Sequence, residues 1–201
     1  HLYSSMGDQL STAEGLQSLG MTLNHTGDFA EGLEHIEQSI PLYRALNNSA
    51  GLVKAHANAS HVSACVGQYD RASYHANETA TIAEAMNDLR WLAQGYTLMA
   101  WQSVVAERFE QGESYAEKSL ALSKGAGGHV EEDIARSVMA YAYEGQGRLE
   151  SARKLFLEIL HISHRDRDFL PLITAIPKII LMMLEQIEAP SQGEMGKADK
   201  D

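Results

Sequence analysis

The chain has 201 residues, 44 % of them apolar and 21 % charged, with a formal net charge of −11. That balance belongs to a folded chain with ample apolar surface to bury. An acidic chain with no basic run is a poor direct partner for nucleic-acid phosphates. The single cysteine, Cys65, excludes an internal disulfide, so nothing implies an oxidising compartment and the expected location is cytoplasmic.

The chain begins at His1 with no charged and then apolar leader, and the expectation is a piece of a longer protein. Asp8 opens a column of helix N-cap types, Asp8, Asn48, Asp88, Gly128 and Asp168, with one fixed spacing of 40 residues. A short side-chain oxygen, or a bare backbone, satisfies amide donors left free in a first helical turn. A second column keeps the same step: Gly27-Asp28-Phe29, Gly67-Gln68-Tyr69, Glu107-Arg108-Phe109 and Gly147-Arg148-Leu149. Glycine reaches left-handed backbone angles without steric cost, as a helix stop followed at once by a new helix requires. Two interleaved columns of this kind predict stacked antiparallel helix pairs, that is, a solenoid. The repeats span 8–47, 48–87, 88–127 and 128–167, with a terminal helix over 168–187, all in one domain (1–187) followed by a flexible tail over 188–201.

Within the first predicted helix (9–25), Leu16, Leu19 and Leu23 fall at the spacing of one buried stripe. The second (29–46) turns Phe29, Leu33, Ile36, Ile40 and Tyr43 inward, and Pro41 inside it should kink it. The third (49–65) is so polar, with His56, Asn58, Ser60, His61 and Ser63, that part of that face is expected to meet water or a ligand. After the fourth (69–86), the fifth (89–105) carries Trp91, Tyr96 and Trp101. Gly125-Ala126-Gly127-Gly128 reads as a hinge. The terminal helix is apolar nearly all round, which calls for a partner helix or a second chain, and its Ile176, Ile180 and Met183 are candidates for homodimer contact. Its apolar run, interrupted by Lys178, falls short of the roughly 20 residues a membrane span needs, so no membrane association is expected.

Small residues recur at Gly20, Ser60, Ala100 and Ala140, and again at Gly32, Ala72, Gly112 and Ala152, where paired helices would bring their backbones close. Together with Leu16, Leu19, Leu23, Tyr96, Tyr143 and Phe156, these columns resemble the tetratricopeptide repeat. The common period of that repeat is about 34 residues. The longer step here resembles the repeat regions of large bacterial ATPase-type transcriptional regulators. The resemblance implies an all-α, right-handed superhelix of about four and a half helix pairs. Glu107 in a turn position and Arg136 in a large-apolar column depart from the pattern and predict looser joints.

In such arrays the first helix of each pair lines a concave groove. Carried over column by column, the central groove positions are Met21, His61, Trp101, Tyr141 and Leu181, flanked by Asn24, Asn58, Thr97 and Ser137. Large side chains at one phase suit the clasping of a protein or peptide segment; the competing reading is that they only pack against each other. The Lys-and-Asn clamp that some of these arrays use for acidic chain ends is incomplete, since Gln17 and Met21 hold two of its places. No His-Glu-x-x-His, phosphate loop or nucleophile elbow is present, His161 and His164 read as a solvated pair, and no enzyme activity, cofactor or metal is expected. The function implied is a non-catalytic binding scaffold or sensor within a larger signalling or transcription-regulatory protein. The alternatives are a self-associating spacer and a small-effector pocket between the third and fifth helices.

Overall fold

In a computed structural model the described residues are 8–126 and 129–166. They form eight helices: α1 (Gln9–Thr26), α2 (Phe29–Ala45), α3 (Ser49–Cys65), α4 (Tyr69–Met86), α5 (Leu89–Val105), α6 (Phe109–Ala126), α7 (His129–Gly145) and α8 (Leu149–Asp166). First helices of successive pairs open at Gln9, Ser49, Leu89 and His129 and second helices at Phe29, Tyr69, Phe109 and Leu149, so both columns advance by 40 residues. The caps explain the starts. Asp8 Oδ1 accepts from Ser11 N at 2.9 Å, Asn48 Oδ1 from Gly51 N at 2.8 Å, and Asp88 Oδ1 from Arg90 N and Trp91 N, both at 3.1 Å. Each such cap is worth about 1 kcal/mol. Gly128, Asp168, the terminal helix with Ile176, Ile180 and Met183, and the tail lie outside the described residues. So do Gly127 and Gly128 of the expected hinge, while α6 continues through Ala126.

Gly27, Gly67 and Gly147 turn the chain at φ of 95°, 74° and 75°. Glu107 adopts the same left-handed conformation at 57°, and its turn keeps the same hydrogen bonds: Glu107 N to Val104 O and Arg108 N to Ser103 O, as Gly27 N to Asn24 O and Asp28 N to Leu23 O. The departure at 107 therefore leaves the geometry intact and adds backbone strain instead, about 1 kcal/mol for a residue with a Cβ. The links between pairs turn on Asn47 and Asn87 at φ of 51° and 52°. Asparagine tolerates this region better than most residues.

Each helix packs on its neighbours in sequence, and first helices also touch the next first helix, α1 to α3, α3 to α5 and α5 to α7. The inner curve of the stack therefore runs along the first helices. Inside the first pair, Gly20 and Gly32 bring α1 and α2 together so closely that a Cβ on Gly20 would stand 2.5 Å from Gly32 O, and one on Gly32 2.7 Å from Gly20 O. Leu33, Ile36, Ile40 and Tyr43 of α2 are buried and Phe29 half-buried. The helix runs unbroken through Pro41, which faces outward.

One expectation needs correction and a second is met in part. The buried stripe of α1 is Ala13, Gln17 and Gly20, and Leu19 is 46 % exposed. Among the described helices, α1 packs on α2 and α3. On α3, His61 is exposed and Asn58 half-exposed, but His56, Ser60 and Ser63 are buried. Ser60 sits where the first pair has glycine and uses the close approach, donating from Oγ to Ala72 O at 2.9 Å.

Replacing Gly20 by Ala should force α1 and α2 apart and lower stability by about 1–3 kcal/mol in denaturant titrations. Glu107→Gly should raise it by up to about 1 kcal/mol, since the turn is already left-handed. A neutral Gly20→Ala would contradict the close-contact account.

Candidate functional site

The side chains of the central column, carried by the first helices, differ in how far the fold engages them. Met21 packs on the core cluster of Leu33, Ile36, Ala59 and Val62. Trp101 and Tyr141 are half-buried and meet edge to face, centroids 5.5 Å apart, and Tyr141 in turn meets Phe156 at 5.4 Å. One edge of this aromatic ladder rests on the Ala100, Ala116 and Val138 cluster. Burial, with Glu144 nearby, raises the Tyr141 phenol pKa, so it remains a neutral hydroxyl. Leu181 lies outside the described residues.

His61 is exposed at its edge, yet enough protein surrounds it that desolvation, with His25 close by, lowers its pKa. Its Nε2 lies 3.9 Å from Sγ of Cys65, one turn on. No group of three or more potential metal ligands forms among the described residues. His56 and His61, both on α3, face different environments, His56 buried in the core and His61 exposed.

The flanking polar residues divide in two. Thr97 and Ser137 are 8 % and 5 % exposed, and their hydroxyls are engaged: Thr97 Oγ1 donates to Ala93 O at 3.1 Å and lies 2.7 Å from Ser119 Oγ, and Ser137 Oγ donates to Asp133 O at 2.9 Å. They hold the wall from behind. Asn24 is half-buried with Oδ1 lacking a hydrogen-bond partner, and Asn58 is half-exposed with no side-chain hydrogen bond among the described residues. Asn58 is thus the uncommitted polar side chain of the set, since Asn24 Oδ1 is buried on α1 and His61 Nε2 meets Cys65 Sγ.

Gln17, expected only as a residue that leaves the acidic-end clamp incomplete, and Tyr43, expected only to face inward, meet across two helices. Tyr43 Oη donates to Gln17 Oε1 at 3.0 Å beneath a cleft of about 420 Å³ between α1 and α3, with Glu14 and Lys54 among its lining residues. Gly51 makes room for that tyrosine, because a Cβ there would lie 2.3 Å from its ring. The glycine and tyrosine were visible as residue types, but their pairing across two helices was not.

No family model matches the chain, and no curated relative does. Solved structures do. The apo form of RapI is 10 % identical, with a TM-score of 0.76 over 92 % of this chain and 73 % of its own. Aspartyl phosphate phosphatase F from Bacillus subtilis is 13 % identical, with a TM-score of 0.73 over 90 % of this chain and 51 % of its own. A putative kinesin light chain of Podospora anserina with nearly identical TPR-like repeats is 14 % identical, with a TM-score of 0.62 over 76 % of this chain and 75 % of its own. At these identities the shared property is the fold, a TPR-like helical solenoid. The chain spans about half the length of the phosphatase it matches.

Thr97→Val should cost about 1–2 kcal/mol in denaturant titrations, because it leaves the buried Ser119 hydroxyl without its partner. Asn58→Ala, which breaks no hydrogen bond, should stay within about 0.5 kcal/mol of the parent. A costly Asn58→Ala would make Asn58 structural and remove it from the groove set.

Proposed function

We propose that this chain is a non-catalytic binding module that holds a protein or peptide segment along its concave face, within a larger signalling or transcription-regulatory protein. The observation that carries this reading is the Trp101–Tyr141 ladder, half-exposed on one wall, with Asn58 of the neighbouring first helix making no side-chain hydrogen bond among the described residues. A buried hydroxyl network fixes the wall from behind, so the aromatic faces are rigid before a partner arrives, and a rigid surface loses little entropy on binding. Tyr and Trp supply most of the energy at such interfaces when water is excluded around them. Asn58 and His61 on the neighbouring helix offer a donor-and-acceptor set that fits the main chain of an extended segment. The cleft over Tyr43, where Glu14 and Lys54 bring opposite charges, would receive one end of it.

Matches to chains that include an aspartyl phosphate phosphatase support the architecture rather than a catalytic role. Homodimerisation through Ile176, Ile180 and Met183 remains part of the proposal on the sequence pattern of the terminal helix alone. The net charge of −11 argues against direct nucleic-acid contact. No helix among the described residues is long and apolar enough to cross a membrane.

Peptides selected from a random display library on the folded chain provide the test. Trp101→Ala should weaken the selected peptides roughly thirtyfold or more, equivalent to about 2 kcal/mol, with helical content by circular dichroism retained. Selected peptides that bind Trp101→Ala and Tyr141→Ala as well as the parent would place the site elsewhere.

A further inference from the structure

The second helix pair holds a buried polar chain that groove binding does not use. His56 of α3 and His75 of α4 face each other with their Nδ1 atoms 3.0 Å apart, and both are almost fully buried. His75 Nε2 lies 3.1 Å from Oε1 of Glu37, which reaches across from α2. Arg71 of α4 grips the same carboxylate, through Nε at 2.6 Å and through its second terminal nitrogen, while the first reaches Gln68. His56 Nε2 is buried and has no hydrogen-bond partner among the described residues. The charged groups bearing on the two imidazoles are Glu37 and Arg44 from α2 and Arg71 and Glu78 from α4, and Tyr74 of α4 lays its ring near both.

Two Nδ1 atoms at 3.0 Å have room for one hydrogen between them, so one nitrogen donates and the other accepts through its lone pair. In the neutral pair, His75 keeps its hydrogen on Nε2, toward Glu37, and accepts at Nδ1 from His56. One added proton fits: it settles on His56 Nε2 while the bridging hydrogen passes to His75, which becomes an imidazolium donating to Glu37 and to His56 Nδ1. A second proton does not fit. Both Nδ1 atoms would then carry hydrogens pointed at each other, and two cations would share a dry site beside Arg44 and Arg71.

We propose that the His56–His75–Glu37 chain is an acid-operated latch joining the first and second helix pairs, closed with none or one added proton and forced open by two. Opening would part α3 from α4 and weaken the hold of α2 on α4, close to the groove position His61 on α3. The titration runs in the required direction. Burial, then His75 and Arg44, pushes the His56 pKa down to about 4, and burial lowers that of His75 against the opposing pull of Glu37. An unfolded histidine takes its proton near pH 6.5, so between that pH and about 4 the unfolded chain binds more protons. The stability contributed is complete above about pH 6.5 and is lost as pH falls toward about 4.

The test combines imidazole ¹⁵N NMR titration of the whole chain with thermal melts at pH 7 and pH 4.5. His56 should remain neutral at pH 5, and His56→Gln, which cannot titrate, should abolish roughly 5 °C or more of the acid-induced fall in Tm. An ordinary midpoint near 6.5 for His56 would overturn the latch, as would an unchanged acid sensitivity in a folded His56→Gln variant. If that variant fails to fold, the wild-type titration decides alone.

Discussion

The close approach of two backbones inside each helix pair is the constraint from which the rest follows. At Gly20 and Gly32 there is no room for a methyl group. The same two columns hold Ser60 with Ala72, Ala100 with Gly112, and Ala140 with Ala152, and apart from Gly112, for which a Cβ would come 2.7 Å from Val104 and 3.3 Å from Ala100 O, each is a small residue that fits a tight crossing. Where Ser60 replaces glycine, its hydroxyl turns proximity into a hydrogen bond with Ala72 O. Tight pairs let first helix touch first helix along the stack, and that row of contacts creates one continuous wall.

The wall differs along its length. Toward α5 and α7 it carries aromatic rings set edge to face, backed by the paired hydroxyls of Thr97 and Ser119. Toward α1 and α3 it is more polar, and beneath it two buried histidines and a carboxylate accompany the aliphatic cluster of Leu33, Ile36, Ala59 and Val62. A buried polar network of this kind adds less to stability than an apolar core of equal volume would, but it fixes relative helix positions and responds to protons. In the proposed latch, the second pair is the place where protonation outside the groove would act on the groove.

Most of the architecture was legible because it repeats. Caps at Asp8, Asn48 and Asp88 and turns at Gly27, Gly67 and Gly147 signal themselves by residue type and phase, and the helices begin where those signals stand. The stops at Asn47 and Asn87 were hidden because asparagine serves equally well as a cap, and Glu107 because nothing about glutamate announces a left-handed turn. The groove column was legible as position but not as commitment. Thr97 and Asn58 look alike as uncharged polar residues, and only the arrangement of α6 behind α5 shows that one hydroxyl is engaged. His56 stands in the large-residue column of Leu16 and Tyr96, and that phase hinted at burial. Its partner, 19 residues away on another helix, had no pattern to reveal it.

The central claim, that the concave wall of the first helices is the binding surface, is tested most directly by the two tryptophans, Trp91 and Trp101, both on α5. Ten positions apart on a helix that rises about 1.5 Å per residue, they stand about 15 Å from each other along its axis, with Trp91 in the first turn. With fluorotryptophan incorporated and the two ¹⁹F resonances assigned through Trp91→Phe, saturation with a selected peptide should move the Trp101 resonance and leave that of Trp91 in place. A saturable complex that leaves Trp101 unmoved, or shifts only Trp91, would contradict the account.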